Sequence, residues 1–362
     1  MNKLLIKSVL FLSLIGFASC SNEGSGNANN FDRTRVLENF ADNLIIPAFK
    51  ELESNSAKLK TAAAALSENL NQESLDDLRN TWKEAKISWA KAEAFSFGPV
   101  KELAFETKIN KWPINDFGLE TFVNEKNTIT AEDVSAMPSN QVGFNAIEYL
   151  LFGDDALTKL QDSPVRVQLL QALTTALNGH VKKILQQWQG DYKGKFIADN
   201  GIEFGSSITQ LANTYLETVD NARNFKVSTP LGLKTDGTIK PELVEARYSN
   251  FSKQLIIANL QAFKKIFNGQ GTAGNANGFD DYLKGLNISA EGKPLSKAIN
   301  DSFDSTIESV QNIEGSLTEA LDKNPLQVND ALTEMQKLAV LLKTDMMSQL
   351  GLIVTFSDSD GD

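Results

Sequence analysis

The sequence predicts an all-α protein made of two bundles of long antiparallel helices. Three observations carry this expectation. Apolar residues recur at helical spacing almost throughout, no convincing run alternates apolar and polar residues as a half-buried strand does, and the long periodic stretches are separated by short polar turns. Amphipathic helices joined by such turns bury their apolar stripes best by packing antiparallel, which is bundle geometry.

Taken in chain order, residues 1–19 carry Lys3 and Lys7, then an apolar run from Val9 to Phe17, then small residues before Cys20. This is the layout of a cleaved export signal rather than of a membrane-spanning helix. Cys20, the only cysteine, resembles the lipidated first residue of a bacterial lipoprotein. Residues 20–30 are rich in Gly, Ser and Asn and read as a flexible tether. A first bundle is expected over 31–190. Its clearest helix starts at Ser163-Pro164, a capping residue followed by proline at the first helical position, and places Leu169, Leu173, Leu177, Val181, Ile184 and Trp188 on one stripe. The irregular stretch from Gly190 to Gly205 marks the boundary, and a second bundle is expected over 200–355. There, one helix is expected to start near Ser289 and carry Leu295, Ile299, Phe303, Ile307, Val310, Ile313, Leu317 and Leu321 on one face. Another follows Asn324-Pro325 with Leu332, Met335, Leu338, Leu342, Met346 and Leu350 inward.

With Cys20 used for lipid, the mature chain has no disulfide and no thiolate ligand, so stability rests on packing. Loss of Lys3 and Lys7 with the leader takes the formal charge from −11 to −13. Such a surface repels nucleic acid and suits a protein of the cell envelope.

Several segments resemble, in order, those of the imelysin-like family. They are Ile46-Pro47 before an amphipathic helix, Trp82 and Trp89 ahead of Phe97-Gly98-Pro99, Trp112-Pro113, the stretch from Gly143 to Gly153, Arg247 to Ser252, Asn259 to Gly269, and Gly278 to Leu283. The family pattern in the Gly143 stretch is Gly-x-His-x-x-Glu, and on this resemblance Asn145 stands at the histidine position while Glu148 keeps the carboxylate. Imidazole is a strong ligand for transition metals and a carboxamide a weak one, so the site chemistry is expected to differ. The resemblance implies a two-bundle protein with this segment near the junction of the halves. It further implies a part in iron uptake, or the metallopeptidase activity for which the family was named.

Read from the residues alone, Asn145 and Glu148 share a helix face, and the apolar neighbours of Glu148 predict its burial. A buried carboxylate needs a cation, a donor or a proton. Two partners are expected: Arg247 from the second bundle as a structural partner, or a metal ion completed by Glu102, Glu106, Asp116 and Glu120, which flank the Phe-Gly-Pro and Trp-Pro segments. An all-oxygen set favours hard cations, iron as Fe(III), calcium or manganese, over zinc. A polar pocket for an organic ligand is the third reading.

No His-Glu-x-x-His or Gly-x-Ser-x-Gly is present, and His180, the only histidine, falls on the polar flank of its helix and reads as a surface residue. The acidic tail Asp358 to Asp362 starts like a calcium loop but lacks its downstream glutamate. The expectation is a non-enzymatic lipoprotein, anchored to the outer membrane through Cys20, binding metal in iron uptake beside an outer-membrane transporter. The alternatives are a metal-dependent peptidase and a non-binding scaffold for such a transporter.

Overall fold

The computed structural model describes residues 32–356 apart from residues 67 and 291. The expected leader 1–19, Cys20, the tether 20–30 and the acidic tail lie outside the described residues.

The fold is all-α. The first long helix, α1 (Ile46–Ala65), continues from Arg33–Asn39 through a π-helical turn, Phe40–Ile45. Helix α2 (Gln72–Ala92) starts on a reciprocal cap, in which Asn71 Oδ1 accepts from the Ser74 N–H at 3.0 Å and Ser74 Oγ accepts from the Asn71 N–H at 3.1 Å. Then come α3 (Asp116–Glu125), α4 (Gly143–Phe152) and α5 (Pro164–Gln189). Ser163 caps α5 as expected, its side chain accepting from the Arg166 N–H. The second half holds α6 (Ser207–Asn221), running into the π-helical segment Ala222–Ser228, then α7 (Ser252–Phe267), α8 (Leu295–Gln311) and α9 (Pro325–Val340).

The stripe on α5, and the one that runs along α9 and on through the helical turns Leu341–Met346 and Met347–Leu350, are buried as expected, each of their residues at most 2 % exposed. Burying such a side chain contributes about 1.5–3 kcal/mol, enough to fix which face of each helix turns inward. Helix α1 packs against α2 and α5, α7 packs against α2 and α8, and α8 packs against α9. Helix α2 therefore belongs to both halves, and one continuous apolar core runs from Val36 to Leu352.

Two expectations need correction. The helix expected from Ser289 through Leu321 is interrupted: α8 starts at Leu295, and a separate helix covers Leu317–Lys323. Gly315 sits between them at φ +69°, and Ser316 caps the second piece, so local turn chemistry ends a helix whose apolar spacing continues. Residues Ser289–Ala290 pair instead with Lys293–Pro294 in a minimal hairpin, one of two among the described residues.

Candidate functional site

Helix α4 presents the Asn145–Glu148 face to the junction of the halves. Its first residue, Gly143, has φ +74°, and a Cβ there would lie 2.3 Å from the Ile109 carbonyl oxygen. Only glycine lets the chain turn into the helix at this approach. Asn145 and Glu148 are each 2 % exposed, so the expected burial is observed.

Their partners are not those expected. Glu148 Oε1 accepts from both the backbone N–H and the hydroxyl of Ser249, each at 2.8 Å. Arg247 turns away: its Nη2 lies 3.3 Å from Asp116 Oδ2 and donates to the Tyr248 hydroxyl. The reason lies in the backbone of this segment. Ala246 at φ +53° and Asn250 at φ +54° bracket it, aiming Glu245 and Ser249 inward and leaving Arg247 partly in solvent.

The positive charge inside the junction comes from two lysines. Lys86, on α2 and 1 % exposed, has its Nζ 2.8 Å from Glu245 Oε1 and 3.3 Å from Asn145 Oδ1, and it also donates to Asn110 Oδ1. Asn110 Nδ2 donates to Glu245 Oε1 at 3.0 Å, while Asn145 Nδ2 donates to Asn110 Oδ1 at 2.8 Å and to the Lys111 carbonyl at 3.1 Å. Lys226, from the π-helical segment, lies 3.0 Å from both Glu245 Oε2 and Glu93 Oε2 and donates to Asn259 Oδ1 at 2.8 Å. Asn259 closes the network by donating to Glu93 Oε2 and the Ala90 carbonyl.

Electrostatics separates the two most buried acids. Burial pushes the Glu148 carboxyl up to about 7, against the opposing bonds from Ser249 and the field of Lys86. Burial acts on Glu245 too, but Lys226 and Lys86 outweigh it and hold that carboxyl well below the usual range. Lys226 is likewise desolvated, and the carboxylates of Glu245 and Glu93 more than restore its charge.

The other sequence-derived candidates do not converge on Glu148. Glu102 is exposed in a cleft with Lys101 and Glu217. Glu106 is exposed on the wall of a cavity of about 300 Å³ at the junction, with Trp89, Glu93, Asn110, Trp112 and Phe225. Asp116 and Glu120 lie one turn apart on α3 and bond Tyr248 and Tyr149 instead. Among the described residues no three Asp, Glu, His or Cys side chains cluster as a metal site. A resident metal at Asn145 and Glu148 does not fit this donor set. The Lys86 ammonium already contacts the carboxamide oxygen, and Glu148 spends one oxygen on Ser249 while burial favours its proton. His180 also needs correction: it is half-buried, stacked on the Phe105 ring at 4.3 Å. Desolvation, with help from Lys183 and Lys108, lowers it to about 4.

Sequence reasoning missed Lys86, Asn110, Lys226, Glu245, Ser249 and Asn259. One signal was available. Trp82, Lys86, Trp89 and Glu93 fall at intervals of four, three and four, so a lysine stood on the face of two buried tryptophans.

Comparison with known proteins agrees with this architecture. The structure superposes on an imelysin-like protein from Psychrobacter arcticum 273-4 with TM-score 0.74 at 19 % identity, covering 90 % of this chain and 97 % of that one. It superposes equally, at 17 % identity over 91 % and 97 % of the two chains, on a protein of Parabacteroides distasonis ATCC 8503 named an iron-regulated protein A precursor. In sequence, 155 residues are 27 % identical to "Iron-regulated protein A" of Synechococcus elongatus, and the match spans 43 % of this chain and 40 % of that relative's length. The family model for imelysin, peptidase M75, matches residues 45–344, which takes in α2, α4 and every member of the buried network, and the chain belongs to that family.

Proposed function

We propose that the chain is a non-enzymatic, envelope-anchored component of iron acquisition, in which the Asn145–Glu148 segment fixes the junction of the halves rather than holding a resident metal. The observation that carries this is Lys86. Its ammonium lies within 3.3 Å of Asn145 and 2.8 Å of Glu245, so the chain supplies from its own sequence the cation its acidic junction requires. The family's Gly-x-His-x-x-Glu pattern, read with Asn145 at the histidine position, points the same way, because the carboxamide nitrogen here donates to both Asn110 and the Lys111 carbonyl. Two relatives named for iron regulation support the physiological setting. The leader-like segment ending at Cys20 supports lipid anchoring in the envelope.

Uptake of labelled iron by cells lacking the chain tests the reading. Slower uptake under iron limitation, restored by the wild-type chain, is the expected result, and undiminished uptake would overturn it. A second measurement addresses catalysis. Purified protein incubated with an unfolded substrate is expected to leave it intact with or without chelator, whereas chelator-sensitive cleavage would establish a metallopeptidase.

A further inference from the structure

The cavity of about 300 Å³ beside the buried network is walled by both halves, with Trp89, Glu93, Glu106 and Trp112 from the first and Phe225 and Leu243 from the second. That volume falls at the lower end for a small-ligand site. Two polar groups on its wall are left over by the fold. The Trp89 Nε1–H, on a side chain 1 % exposed, has no acceptor among the described residues. No side-chain hydrogen bond among the described residues holds the Glu106 carboxylate, and desolvation raises it, with the fields of Glu217 and Glu93 acting against those of Lys101 and Lys111. Glu93 adds a second carboxylate to the wall, with Lys226 and Asn259 both on its Oε2. Aromatic surface surrounds these groups. The Trp112 ring is flanked by Lys226, whose Nζ lies 5.6 Å from its centroid, and Phe225 is 49 % exposed.

We propose that this cavity binds a small primary amine, its ammonium paired with Glu106 in the field of Glu93, its apolar body against Trp112 and Phe225, and an oxygen of the ligand accepting the Trp89 N–H. The inference goes beyond the acquisition reading and stands without it. Each wall group selects one feature of the ligand. A desolvated carboxylate without a partner calls for a cation, and a cation also gains from the faces of aromatic rings. A carboxylate accepts from N–H, which a primary ammonium has and a quaternary one lacks, so the primary amine makes the stronger, charge-assisted bond. A buried indole N–H without an acceptor costs stability, and a hydroxyl or carbonyl oxygen on the ligand supplies one. A bare metal ion finds no three-ligand cluster among the described residues and gains nothing from apolar walls. An anion would face Glu93 and Glu106 with Lys111 alone among the lining residues to offset them, and Lys111 is exposed, where water and salt screen it.

Calorimetric titration of the purified chain with tyramine tests this, because tyramine joins an ammonium, an aromatic body and a hydroxyl oxygen. The expected result is one tyramine per chain with a dissociation constant below about 1 mM. Phenethylamine, which lacks the hydroxyl, should bind several-fold more weakly, and 4-hydroxyphenylacetate, with a carboxylate in place of the ammonium, should not bind. Glu106→Gln should weaken tyramine at least about tenfold, whereas Glu102→Gln, at an exposed acid outside the cavity, should leave it unchanged. Trp89→Phe should bring tyramine and phenethylamine to equal affinity, while a loss of packing alone would weaken both together. Tyramine that fails to saturate the wild-type chain, binds Glu106→Gln as tightly, or is matched by the carboxylate analogue overturns the site and leaves the acquisition reading intact. A preference for tyramine over phenethylamine that survives in Trp89→Phe overturns the role assigned to the indole N–H.

Discussion

Glu148 and Glu245 titrate in opposite directions although both are buried at the same junction. Ser249 gives Glu148 two neutral donors, which fall short of desolvation, whereas Glu245 receives two ammonium groups and an amide. The sign of the pH dependence follows. From its ordinary value of 4.5 up to about 7, Glu148 is ionised in the unfolded chain but still protonated in the fold. Its contribution to stability is therefore full below that window, falls as pH rises through it, and is constant above. In metal-free buffer, Glu148→Gln is expected to remove about 2–3 kcal/mol of this fall between about pH 5 and about pH 8, measured by urea unfolding at each pH. A variant whose stability follows pH as the wild type does would show that the proton sits elsewhere. At this scale the sequence was half legible. The apolar neighbours of Glu148 announced its burial, but its donor is a serine two residues beyond the arginine that charge complementarity favoured. The deciding feature is positive φ at Ala246, a residue that does not advertise it, together with Asn250, a type that adopts it more readily.

Helices were legible where apolar period and caps agreed, and illegible where they did not. Ser163-Pro164 and the stripe behind it specified α5 in full, because cap, proline and periodicity name the same start. Past Gln311 the apolar spacing persists through Leu321, yet Asn312 to Ser316 turn the chain, since a left-handed glycine and a serine cap outweigh a continued pattern. Helix α4 depends in the same way on its entry. Gly143→Ala would force a Cβ against the Ile109 carbonyl and hold alanine at φ +74°, so a loss of about 1–3 kcal/mol or more is expected. Because the start of α4 fixes Asn145 against Asn110 and Lys111, the variant should also speed amide exchange at those positions. A thermal midpoint equal to wild type would mean the turn relaxes without cost.

At the scale of the whole molecule, apolar contacts continue across the stretch from Gly190 to Gly205. Helix α2 packs on α1 in the first half and on α7 in the second, and the ion-pair network crosses the same plane, with Lys86 and Glu93 on one side and Lys226, Glu245 and Asn259 on the other. Shared apolar burial and shared charge neutralisation both couple the halves, so unfolding is expected to be a single cooperative transition by calorimetry. Lys226→Met separates the two contributions. It leaves the packing of α2 on α7 in place but strips one cation from Glu245 and the Lys226 ammonium from Glu93, a change that typically costs about 3–5 kcal/mol when a buried pair is broken. If apolar contact is the dominant coupling, the variant melts at a lower temperature and still in one step. Resolution into two transitions would show instead that the lysine network holds together halves that fold separately, and that the continuous core contributes little to their union.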